Sequence, residues 1–133
     1  MDFGLRRLGI ALSDEGGTLA TPLRVVEIAS VRDAPEAVAA AASDSGAETV
    51  VVGVPLGLEG EERRAEVRRV ERFARALRKV SGLTVFLVDE SLSTREAEER
   101  VQEAGGGRRD PSQHAQAAAV ILQRWLDRPR RTR

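Results

Sequence analysis

The chain has 133 residues, enough for one hydrophobic core and too few for two. Hydrophobic residues make up 41% and charged residues 32%, which excludes a disordered chain, and no apolar stretch is long enough to cross a membrane. Lys plus Arg and Asp plus Glu both total 21, so a strongly basic, histone-like binder is excluded, while the absence of cysteine and the single histidine exclude disulfides, thiolate zinc sites and His-rich metal sites.

The amino-terminal run Met1-Asp2-Phe3-Gly4-Leu5-Arg6-Arg7 opens with an acid and lacks the apolar core of a secretory signal, so a cytoplasmic protein is expected. Leu8 to Leu12 reads as a strand closed by the turn cluster Ser13 to Gly17, with a return strand over Leu23 to Ile28 and Pro22 at its edge. A helix starts around Asp33-Ala34-Pro35, runs through the alanine-rich segment and stops at Gly46. Thr49 to Val54 is nearly all β-branched, the pattern of a strand buried on both faces. Pro55 to Gly60 breaks it.

A long helix follows over Glu61 to Lys79, its apolar stripe set by Val67, Val70, Phe73, Ala74 and Leu77. Leu83 to Val88 reads as a second fully buried strand, and Thr94 to Ala104 as a helix capped by Ser93 or Thr94. Gly105 to Arg109 forms a basic loop. The last helix begins at Asp110-Pro111 and turns Ala118, Ile121, Leu122, Trp125 and Leu126 inward. Helix-linked apolar strands imply a three-layer α/β domain over residues 1–127 with a mixed, mainly parallel sheet, followed by a basic disordered tail over 128–133.

In such sheets ligands meet the carboxyl ends of the strands. Asp89 and Glu90 stand at one strand tip, and Asp2 stands beside Gly4 ahead of the first visible strand. Acids converging from separate elements make a divalent-cation site suited to Mg²⁺ or Mn²⁺, which can activate a water against a phosphodiester. The ordinary alternative is that Asp2 is a turn residue and Asp89 and Glu90 open a helix.

Four linked stretches carry a resemblance. Asp2-Phe-Gly4-Leu-Arg-Arg7-Leu-Gly-Ile-Ala-Leu-Ser-Asp14 is similar to the opening motif of the YqgF/RuvX family, and Val51-Val-Gly53-Val-Pro55-Leu56 with Gly60 resembles its second. Val88-Asp89-Glu90-Ser-Leu92-Ser93-Thr94 with Ala97 resembles the third, and Ala117-Ala118 through Leu126 the final helix. The resemblance implies an RNase H-like fold and a metal-dependent nuclease acting on structured nucleic acid. The substrate implied is precursor 16S rRNA at its 5′ end, or, alternatively, a Holliday junction. It implies Asp2 and Glu90 as metal ligands with Asp89 beside them. Gly4 would admit the backbone to the site, Arg7 would neutralise phosphate charge, and Ser93 and Thr94 would contact phosphate.

Two departures follow. The family places a hydrophobic strand ahead of the leading Asp, so the first strand here is expected to be truncated and the true start to lie upstream of Met1. The family's acid on the last helix is replaced by His114, an imidazole that can ligate Mn²⁺ or act as a general base, with Asp110 one turn earlier. These departures keep a catalytically impaired nucleic-acid-binding homologue open as a further reading. Arg108 and Arg109 are candidate backbone contacts. Glu61 to Lys79 carries eight basic residues against four acids, either a solvated face or a phosphate-tracking surface. The expected state is a monomer or a homodimer, a resolvase requiring the latter.

Overall fold

The computed structural model describes residues 1–54, 60–89 and 112–129. Its strands are β1 (Asp2–Phe3), β2 (Arg7–Ser13), β3 (Ala20–Glu27), β4 (Thr49–Val54) and β5 (Thr84–Asp89). Its helices are α1 (Ala34–Ser45), entered through a 3₁₀ turn at Val31–Asp33, α2 (Gly60–Ser81) and α3 (Ser112–Asp127). The helix expected over Thr94 to Ala104, the glycine-arginine loop and the end of the basic tail lie outside the described residues.

β1, β2 and β3 form an antiparallel ladder, and β4 pairs with β5 in parallel. Met1 joins the two ladders. Its amino nitrogen donates to the Val51 carbonyl, and the Gly53 N–H donates to the Met1 carbonyl at 3.1 Å. That pattern is one parallel bridge with Met1 opposite Val52, so the order across the sheet is β3-β2-β1-β4-β5. The sheet is mixed, as expected, with an antiparallel part larger than the sequence suggests. On the far side of Met1, β2 and β4 border a cavity of about 110 Å³ lined by Ile10, Leu12, Val38, Ala41 and Val50.

The β-branched run of β4 is buried as its composition requires, with Val51, Val52 and Val54 all inside. Phe3, Leu8 and Val52 face α1 and α2, whose Val38, Val70, Phe73, Ala74 and Leu77 complete the main core. Phe3 and Phe73 meet with ring centroids 4.7 Å apart, the offset geometry aromatic pairs favour. The other face is covered by α3 through Ala115, Ala118 and Ile121. This is a three-layer α/β arrangement.

Two elements differ from expectation. β3 starts three residues early and includes Pro22, which is tolerated because β3 is an outer strand and the register slips between Ile10 and Ala11. β5 is not buried on both faces: Thr84 is exposed and Phe86 is 42% exposed. Among the described residues no strand pairs with its outer edge. Phe86 rests against Trp125 of α3 at 5.4 Å, and Arg128, expected at the start of the tail, lies over the Trp125 ring at 3.7 Å.

The β2–β3 connection is closed by Asp14. Its Oδ1 accepts from the backbone N–H groups of Thr18 at 2.7 Å and Leu19 at 3.2 Å, and these bonds lower the carboxyl pKa below 3.8. A depressed folded-state pKa means that the turn's support is complete above the ordinary carboxylate range and is lost as pH falls through the lower folded value. The Thr18 and Leu19 amide resonances, followed in an acid titration, are expected to move with a midpoint below 3.8.

Candidate active site

The carboxyl ends of β1, β4 and β5 lie side by side because these strands run in parallel. Asp2 occupies the step level with Gly53 and Val88, and on its other side it pairs with Gly9 of β2. The neighbours on both sides are glycines, so no side chain from an adjacent strand crowds the Asp2 carboxylate.

Gly9 also fixes what covers that carboxylate. A Cβ at this position would lie 1.9 Å from the His114 carbonyl oxygen and 2.9 Å from the Ala115 nitrogen. The first turn of α3 therefore rests directly on the β2 backbone, which no other residue type permits. With the helix seated there, His114 Nδ1 comes within 3.2 Å of Asp2 Oδ2. Both side chains are largely shielded, at 15% exposure for His114 and 17% for Asp2. Two residues 112 positions apart are thus held as one pair by a glycine to which sequence reasoning assigns no role. A signal for it exists: a glycine inside an apolar strand marks close backbone approach.

The remaining expected site residues divide. Gly4 and Arg7 close the β1–β2 turn: the Gly4 N–H donates to the Arg7 carbonyl at 3.1 Å, and a Cβ on Gly4 would stand 2.6 Å from that oxygen. The Arg7 guanidinium lies 3.8 Å from Glu27, so it is partly neutralised beside the site. Asp89 ends β5 opposite Val54. Glu90, Ser93, Thr94, Arg108, Arg109 and Asp110 lie outside the described residues.

A divalent cation is fitted in kind by what is present. Asp2 contributes a carboxylate oxygen and His114 an imidazole nitrogen, while the buried Gln113 Oε1, one residue before His114, makes no hydrogen bond. Oxygen and imidazole donors together suit Mn²⁺ and, less well, Mg²⁺. Among the described residues no group of three or more His, Cys, Asp or Glu side chains forms a complete cage. No helix among them is long and apolar enough to cross a membrane.

The chain is similar to known proteins along nearly its whole length. A family model described as "RuvX: Holliday junction resolvase" matches residues 1–128. A protein of Anaeromyxobacter sp. (strain Fw109-5) named "Putative pre-16S rRNA nuclease" is 41% identical over 129 residues, covering 96% of this chain and 93% of the relative. A protein of the same name from Synechococcus sp. (strain JA-3-3Ab) is 42% identical over 134 residues, covering 98% and 82%. Among solved structures, T. thermophilus RuvC in complex with a Holliday junction substrate superposes with a TM-score of 0.59 at 19% identity, covering 94% of this chain and 90% of that one. The structural likeness establishes the RNase H-like fold.

Proposed function

Since the chain belongs to the RuvX family, we propose that it is a metal-dependent nuclease hydrolysing phosphodiester bonds in structured nucleic acid, with precursor 16S rRNA as its substrate. The observation that carries this reading is the Asp2–His114 pair at the carboxyl ends of the parallel strands. An acid and an imidazole held together at a ligand-binding edge are the parts that water-mediated hydrolysis needs.

Asp2, His114 and Glu90 would hold Mg²⁺ or Mn²⁺. When bound, the ion polarises the phosphoryl group and lowers the pKa of a water. The side chains supply the rest. His114 donates Nδ1–H to Asp2 Oδ2, which fixes the ring and leaves the one lone pair on Nε2 for the ion or, where the carboxylates alone hold the ion, for a proton of the attacking water. Gly9 and Gly53 keep the space around the carboxylate clear, and Arg7 holds a guanidinium at the adjacent turn for phosphate charge.

The test is cleavage of a precursor 16S rRNA fragment and of a four-way DNA junction, each with Mg²⁺, with Mn²⁺ and with EDTA. Cleavage of the RNA that needs metal supports the proposal. Cleavage of the junction alone favours the resolvase reading suggested by the family description. Binding of both without cleavage under any metal overturns the nuclease reading and leaves a binding protein.

A further inference from the structure

The outer face of α2 is strongly charged, and the site above makes no use of it. Its core face is set by Val70, Phe73, Ala74 and Leu77. On the opposite side Arg64, Arg68, Arg72, Arg75 and Lys79 follow one another at steps of four, four, three and four residues. That is the spacing of a single helical stripe, and all five are exposed. At 1.5 Å per residue the stripe is about 22 Å long.

Its pairing is unusual for a merely solvated face. The helix does hold two ion pairs, Glu61 with Arg64 at 3.0 Å and Glu66 with Arg69, the latter lying off the stripe. Glu71 stands in favourable sequence order to Arg75, yet among the described residues Arg68, Arg72, Arg75 and Lys79 form no ion pair. Like charges at these steps repel one another and weaken the helix. The chain as a whole is neutral, so this positive stripe is segregated charge, not a reflection of a basic protein.

Position gives it a use. Phe73, midway along α2, meets Phe3, the residue after Asp2. Because α2 runs back against the parallel strands, the turns carrying Arg64 and Arg68 stand beyond the strand tips, and those carrying Arg75 and Lys79 lie below them. The apolar face of the helix is fully committed to the core, so the stripe has no apolar side to insert into lipid.

We infer that this stripe binds the sugar-phosphate backbone of the nucleic-acid substrate away from the scissile bond, without reading its sequence. The identity of the polyanion rests on the nuclease reading, but the test does not require cleavage. Binding of a 20-base-pair RNA duplex and of a four-way DNA junction is measured in EDTA over a range of salt concentrations. The proteins compared are wild type, the triple variant Arg68→Gln, Arg72→Gln, Arg75→Gln, the same three positions as Lys, and a control, Arg24→Gln, Arg32→Gln, Arg124→Gln, with the same charge change off the helix.

The stripe variant is expected to lower the slope of log affinity against log salt by about three, roughly one for each phosphate it no longer neutralises, while the Lys variant and the control keep the wild-type slope. Equal reductions in the stripe variant and the control would reduce the effect to net charge and overturn the proposal. An unchanged slope in the stripe variant would overturn it too. If metal-dependent cleavage persisted in that case, the nuclease reading would stand without the stripe. Wild-type capture by phosphatidylserine vesicles with no affinity for either nucleic acid would assign the stripe to a membrane surface and likewise overturn it.

Discussion

Gly9→Ala is expected to destabilise the protein by about 3 kcal/mol, the upper part of the range for forcing extra atoms into a packed interior. The three atoms nearest the added methyl, at 1.9, 2.2 and 2.9 Å, all belong to the backbone of His114 and Ala115. No side chain can swing aside, so relief requires α3 to lift from β2 along its first turn. Ala115, Ala118 and Ile121 lose packing in proportion to that lift. Urea unfolding checks the value, with Gly16→Ala as the control. Gly16 has only the Thr18 hydroxyl at 3.7 Å, and its replacement should stay within about 0.5 kcal/mol of wild type. A Gly9→Ala protein as stable as that control would show that the helix seat is not rigid.

The second large effect concerns chemistry. Asp2→Asn and His114→Ala are each expected to lower metal-dependent cleavage by about 10²- to 10⁴-fold, the range for losing a positioned proton-transfer group. The two losses should not add. Asp2 holds the ring that His114 contributes, at 3.2 Å, so removing either disables the pair and the double variant should be no slower than the worse single one. Two independent, fully additive losses would mean that the residues act separately. Stability separates this from a merely structural pair, because unfolding data on the same proteins report folding alone.

How much of this is legible in the sequence depends on whether the signal is local. The β-branched run of β4 and the apolar stripe of α2 announce themselves, because burial on both faces and burial along one helical stripe impose different periodicities. Asp2 and His114 are picked out by resemblance to a family, and the fold brings them together. Gly9 inside an apolar strand signals close backbone approach, but what approaches it, a helix more than a hundred residues later, is not written locally. The burial of β5 departs from expectation for the same kind of reason: an apolar run looks the same at the centre of a sheet and at its edge, and only the neighbours decide. Phe86 shows the difference, being exposed on the strand yet covered on one side by Trp125. Arg68, Arg72 and Arg75 of α2 lie between these cases. Their spacing is written in the sequence, but that they form no ion pair among the described residues is visible only when the side chains are in place.

The join through Met1 has a consequence for how the molecule opens. Two hydrogen bonds of Met1 tie the antiparallel part of the ladder to the parallel part, and Asp2 is the next residue along. Partial opening costs least where few bonds are broken. Parting the sheet at this seam would also break contacts that cross it, Phe3 with Phe73 of α2 and Phe86 with Trp125 of α3. Such an opening would separate Asp2 and His114 from Gly53 and Asp89. The candidate site lies on this seam, so a bound ion or substrate that bridges the strand tips would also act as a clasp, raising the free energy of that opening by whatever its binding contributes.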